Sequence, residues 1–145
     1  MQVQIVQISA KDTLPLRHSV LWPDHPVDFS RVEGDESAQH FGAYLGPDLV
    51  CVLSLFGEGT SARIRKFATR PDCQGKGIGT QMMRHALARA ADQGASRVWL
   101  SARENAMPFY ARFGFAPFGK PALKEGQPYR KMQVSLSHQS LASSA

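Results

Sequence analysis

Ala62-Arg63-Ile64-Arg65-Lys66-Phe67-Ala68-Thr69-Arg70-Pro71-Asp72-Cys73-Gln74-Gly75-Lys76-Gly77-Ile78-Gly79-Thr80 reads as a strand, a glycine-rich turn and the start of a helix. The strand is the run Ala62 to Phe67. The helix declares itself by Ile78, Met82, Ala86 and Ala90 on one stripe, with Met83 and Leu87 beside it. A helix start leaves several backbone N–H groups without intrahelical partners, and the aligned peptide dipoles put partial positive charge there. Gly75, Gly77 and Gly79 allow unusual dihedrals and let a phosphate approach the backbone, and Lys76 adds a full charge. The guest this device suits is a diphosphate.

Two phosphate motifs fail on the residues present. A P-loop needs Gly-x-x-x-x-Gly-Lys-Ser/Thr, whereas Lys76 is followed by Gly77. A dinucleotide fingerprint Gly-x-Gly-x-x-Gly, counted from Gly75 and Gly77, ends on Thr80. What stands is Gln74-Gly75-Lys76-Gly77-Ile78-Gly79, which fits Gln/Arg-x-x-Gly-x-Gly/Ala. An ordinary glycine-rich turn is the plain alternative for this loop taken alone. Downstream, Arg97 to Arg103 reads as another strand and is followed by Asn105-Ala106-Met107-Pro108-Phe109-Tyr110-Ala111-Arg112-Phe113-Gly114-Phe115. The loop resembles the coenzyme A pyrophosphate loop of the GNAT N-acetyltransferase superfamily. The second segment resembles that family's Asn-x-x-Ala-x-x-Phe-Tyr-x-x-x-Gly-Phe signature, with the alanine (Ala106) placed earlier than in many members.

The rest of the chain fits one domain over 1–136 and a flexible tail over 137–145. A first strand spans Val3 to Ile8, and a helix capped by Asp12 or Thr13, with Pro15 near its first turn, ends at Trp22-Pro23. Asp24 to Gln39 reads as a loop or broken helix. His40 to Leu45 and the apolar run Leu49 to Phe56 are strands, the latter central. Phe115 to Phe118 begins a short strand, Lys120 to Pro128 reads as a polar loop, and Tyr129 to Leu136 as the strand that closes the sheet. The fold class is α/β, and the resemblance implies a mixed, mostly antiparallel sheet of six to seven strands flanked by helices. It also implies a parallel, splayed central pair, with the split between the strands at Ile64–Thr69 and Val98–Arg103, filled in the family by the pantetheine arm.

The resemblance names site residues. Acetyl-CoA is the implied co-substrate, held by Gln74, Gly75, Lys76, Gly77, Ile78, Gly79 and Thr80, by the backbone of Phe67, Ala68 and Thr69, and by Asn105. A backbone N–H at Phe67 or Ala68 polarises the thioester carbonyl. Tyr110 matches the family's general acid; a phenol of pKa about 10 lies close to a thiol, so proton delivery to the leaving thiolate is nearly even. Alternatives stay open: Tyr110 as a packing partner of Phe109 and Phe113, Asn105 as a helix cap, and Arg112 as an exposed arginine instead of a contact to the adenosine end. The strand before the loop carries Arg63, Arg65 and Lys66 and no acid. His40 and Glu125 are weak candidates, so no general base is named. The family builds its acceptor pocket around the first helix, here Arg17, His18, Trp22 and Asp24, and Leu16 to Pro23 resembles an uncharacterised small branch that supplies no substrate. A coenzyme-A-binding regulatory or interaction module without turnover is the competing reading, and a longer acyl donor such as succinyl-CoA is compatible with the loop. Many members pair as homodimers, which the resemblance leaves open here.

Composition bounds the rest. The formal charge of +5 suits an anionic coenzyme, while the basic residues are scattered and form no run interleaved with aromatics, which argues against nucleic acid as a partner. No apolar run reaches membrane-spanning length and the first residues lack the features of a signal peptide, so the expectation is a cytoplasmic protein with no membrane partner. Cys51 and Cys73 have no CxxC spacing, and no metal site is expected. Cys51 reads as a small core residue; Cys73, beside the loop, reads as a loop residue without catalytic work.

Overall fold

The computed structural model describes residues 2–136; the expected tail at 137–145 lies outside them. Seven strands form a mixed sheet in the order β1-β2-β3-β4-β5-β7-β6, with one parallel pair and the rest antiparallel. They are β1 (Gln4–Ile8), β2 (Gln39–Leu45), β3 (Asp48–Glu58), β4 (Ser61–Thr69), β5 (Arg97–Arg103), β6 (Ala116–Lys124) and β7 (Gln127–Ser135). The helices are α1 (Ala10–Leu16), α2 (Ile78–Asp92) and α3 (Met107–Ala111). The described residues pack as two compact units: the N-terminal part through Phe56 with Ile64–Arg89, and Gly57–Arg63 with the described chain after Arg89.

In the first unit, β1, β2 and β3 are antiparallel neighbours joined in register from Gln4↔Tyr44 through Leu45↔Asp48. Val50 to Leu53 are all fully buried, as their unbroken apolar run requires. The α2 stripe Ile78, Met82, Ala86 and Ala90 is buried together with Met83, and the His85 ring meets Phe41 edge-on at 4.8 Å. The cap of α1 is Ser9, whose Oγ accepts from the Asp12 N–H at 3.2 Å, and not Asp12 or Thr13. Pro15 sits inside that helix, where it removes a donor, and the following turn, Arg17–Leu21, widens to π pitch before the chain breaks at Trp22. The polar stretch after it holds two 3-10 turns, Val27–Ser30 and Asp35–Ser37.

In the second unit, β7 lies between β5 and β6, so it does not close the sheet; β6 is the edge. The stretch from Lys120 to Pro128 is not a loop. It forms the end of β6, a tight turn at Glu125-Gly126 with both residues at positive φ, and the start of β7. The polar composition of this stretch read as loop, but an edge strand tolerates polar residues and also prolines such as Pro121, which cannot donate outward. Val98, Leu100, Ala102, Phe115 and Met132 form the buried apolar side of this unit.

Candidate functional site

The glycine loop belongs to the first unit. β4 ends at Thr69, a 3-10 turn follows at Pro71–Cys73, and α2 starts at Ile78. The Arg70 N–H donates to the Val50 carbonyl at 2.8 Å, tying the loop's entry to β3. Gln74 Nε2 reaches back to the Thr69 carbonyl at 2.9 Å, so this glutamine shapes the loop from within. Gly75 and Gly77 hold φ of 76° and 83°, and an added Cβ at either would meet nothing within 4 Å. The requirement for glycine is therefore the left-handed backbone itself. Helical bonding begins with Gln81 N–H donating to the Gly77 carbonyl at 3.1 Å, which leaves the N–H groups of Ile78 and Gly79 ahead of the ladder. Ile78 is fully buried and anchors the helix start, while Gln74 to Gly77, including Lys76, are exposed. A helix start with its dipole and an exposed lysine thus come together in one place, an arrangement that fits a diphosphate.

Beside the loop, Arg70 Nε and Asp72 Oδ1 pair at 2.6 Å, and that hydrogen bond raises the Arg70 pKa and lowers that of Asp72. Both are exposed, so the pair contributes little to stability. Thr69 Oγ1 donates to Cys51 Sγ at 3.3 Å, and burial pushes the Cys51 thiol up to about 11, which makes it inert at neutral pH. On β4, Arg65, Lys66 and Phe67 are all half-buried, interrupting the alternation of Ala62, Ile64 and Ala68. Lys66, a non-glycine residue, stands at φ 54° in mid-strand, just ahead of Phe67. A lysine in this conformation leaves no signature in sequence.

Four residues considered for the acceptor side or for the base are otherwise engaged. Arg17 is completely buried. Its guanidinium grips Asp35 with two bonds of 2.8 and 2.9 Å and also donates to the Ser30 carbonyl and to Ser54 Oγ. His40 is 3% exposed, with Nδ1 2.6 Å from Ser54 Oγ and Nε2 2.8 Å from the Asp35 carbonyl. The carbonyl can only accept, so Nε2 donates to it, while Nδ1 is held by the Ser54 hydroxyl. Neither ring nitrogen is left to serve as a base. Trp22 is buried and meets His25 and Phe29 edge-on at 5.4 Å each, and His18 Nε2 bonds the His25 carbonyl at 2.8 Å. Burial of Arg17 and His40 was not readable from sequence, because all their partners but the Asp35 carbonyl that His40 meets lie 13 to 37 residues away.

The second unit carries the signature segment. Asn105 is exposed in a 3-10 turn, Glu104–Ala106, and the cap position of α3 falls on Ala106, so the capping alternative for Asn105 is not what forms. Tyr110 is half-buried in α3, its ring 5.3 Å from Phe109 and 5.9 Å from Phe115, both edge-on. Arg112 lies over Phe109 and Phe113 at 5.3 and 5.9 Å. Glu125 is exposed at the hairpin turn. Among the described residues no group of three or more His, Cys, Asp or Glu is placed to hold a metal ion, and no helix is long and apolar enough to cross a membrane.

The chain belongs to the acetyltransferase (GNAT) family, whose profile matches residues 5–115. It is 27% identical over 128 residues to YitI, an uncharacterised N-acetyltransferase of Bacillus subtilis, covering 82% of this chain and 86% of that one. Its fold is that of a GNAT family acetyltransferase from Elizabethkingia anophelis solved with acetyl-CoA bound (TM-score 0.72, 14% identity, 92% and 98% of the chains). A Bacillus subtilis acetyltransferase solved in complex with CoA is similarly alike (TM-score 0.71, 16% identity, 94% and 99%).

Proposed function

We propose that this chain is an acetyl-CoA-dependent N-acetyltransferase that moves an acetyl group to a primary amine by direct transfer in a ternary complex. The observation that carries the reading is the exposed loop Gln74 to Gly77, with two left-handed glycines and a lysine at the start of α2. Ile78 and Gly79 offer N–H groups at the helix start, with Thr80 next in the chain, and Lys76 offers charge, to a diphosphate. When bound, acetyl-CoA supplies an activated thioester. Backbone N–H groups of Phe67 or Ala68 polarise its carbonyl, and Thr69 and Asn105 border the coenzyme arm. The left-handed Lys66 supports this assignment, because a break in extended backbone redirects the peptide groups that follow it. Tyr110 delivers the proton to the departing thiolate, its ring held by Phe109 and Phe115.

One observation favours the competing reading, a coenzyme-A-binding module without turnover: His40 is locked in a buried network and β4 carries no acid. Calorimetric titration with acetyl-CoA followed by a thiol-release screen over amines separates the two. Binding with release supports the enzyme, binding without release on any amine supports the module, and no binding overturns both.

A further inference from the structure

The sequence contains no basic run interleaved with aromatics, yet the sheet of the second unit assembles one from separate strands. Antiparallel register sets Trp99 opposite Gln133, Ser101 opposite Lys131, and Lys131 opposite Phe118. Paired residues share a face, and the period of two puts this face opposite the buried Val98, Leu100 and Met132. Arg63 from the start of β4 lies 4.1 Å from the centre of the Trp99 ring, and Lys131 Nζ 5.5 Å from it. Arg97 sits 5.9 Å from Trp99 and 5.2 Å from Phe118, and the two rings meet edge-on at 6.2 Å. Glu58 is drawn in by the Trp99 indole N–H at 2.9 Å. Three cations on two aromatics therefore meet one carboxylate on a face where Lys131 and Ser101 are exposed.

We infer that this face binds single-stranded nucleic acid. Cations interleaved with aromatic rings on the outer side of a sheet suit a strand whose phosphates need neutralising and whose bases need flat partners. The geometry of Arg97 chooses between anions. Its Nε donates to Gln133 Oε1 at 2.6 Å and its Nη1 to Ser61 Oγ at 3.3 Å, so much of its edge is already used. Carboxylate and phosphate alike are recognised through that edge, in the fork geometry, so Arg97 is left to act through its plane, which a base can stack on and a carboxylate cannot. An acidic polypeptide is thus the poorer occupant. A second copy of the same face is repelled by like charge.

The test is fluorescence anisotropy with a short labelled oligouridylate and the full-length protein. Binding is expected at low salt. With three phosphates neutralised on a single strand, affinity should fall roughly 20-fold from about 50 to 200 mM salt. Lys131→Glu, an exposed change, should weaken binding at least about tenfold, two like charges replacing an attraction. Trp99→Leu, checked for folding by circular dichroism, should weaken it too. Saturating coenzyme A should not displace the oligonucleotide. The inference is overturned by no binding at low salt, by wild-type affinity in both variants, by displacement with coenzyme A, or by polyglutamate binding as tightly as the oligonucleotide.

Discussion

Replacing Asp35 by alanine tests the buried network of the first unit. Arg17 is inaccessible to solvent, and Asp35, whose side chain is 12% exposed, is the carboxylate that compensates it through two short bonds. Asp35 Oδ2 also accepts from the Val32 N–H at 3.0 Å. Removing one partner of a buried pair strands a desolvated charge, which costs about 3–5 kcal/mol. For a domain of this size that corresponds to a drop of roughly 10–16 °C in melting temperature. The same chain supplies a control. Arg31 and Asp28 pair at the same 2.8 Å, but their side chains are 62% and 84% exposed, so Asp28→Ala should cost less than about 1 kcal/mol. Urea denaturation of both variants measures the difference, and Arg17→Met with Asp35→Leu should recover most of the loss, since no charge is then left buried. The reasoning fails if Asp35→Ala is as mild as Asp28→Ala, or if the double variant is as unstable as the single one. The pH profile gives the sign independently. Burial pushes the Asp35 pKa up, but its bonds to Arg17 and Val32 and the charges of Arg17 and His40 outweigh that and hold it below the ordinary carboxylate value. The stabilisation is complete above the unfolded pKa and is lost as pH falls through the folded one. Wild type should therefore lose stability below about pH 4 by a larger margin than the double variant.

Gly77→Glu should abolish acetyl-CoA binding by calorimetry, because it adds both a side chain in a left-handed position and a negative charge at the diphosphate site; unchanged affinity would show that the loop is not the site. Tyr110→Phe should lower the maximal rate by about 100-fold or more while leaving coenzyme affinity within twofold, and an unaltered rate would remove Tyr110 from the acid role. Cys51, with its thiol pushed up to about 11, should resist iodoacetamide in the native protein at pH 8 and react once urea unfolds the chain, as read by mass spectrometry; rapid native labelling would contradict its burial.

The sequence by itself determined the order of strands and helices around the loop, because that information is local. The strand-like run Ala62 to Phe67 marked β4, the Ile78, Met82, Ala86 and Ala90 stripe marked α2, and three glycines around one lysine marked where a phosphate could approach. Local signals misled where a neighbour set the outcome. The polar stretch between Lys120 and Pro128 looked like a loop, but pairing with β7 made most of it strand, and its edge position made its prolines tolerable. Only the tertiary structure decided which charged residues are buried and which share a surface. Arg17 and His40 looked available for chemistry until Asp35 and Ser54 closed around them. Arg63, Arg97 and Lys131 looked scattered until strand register stacked them on Trp99. The physical reason is common to both cases: burial and charge clustering depend on contacts between residues far apart in the chain, and register fixes those contacts only once the sheet has formed.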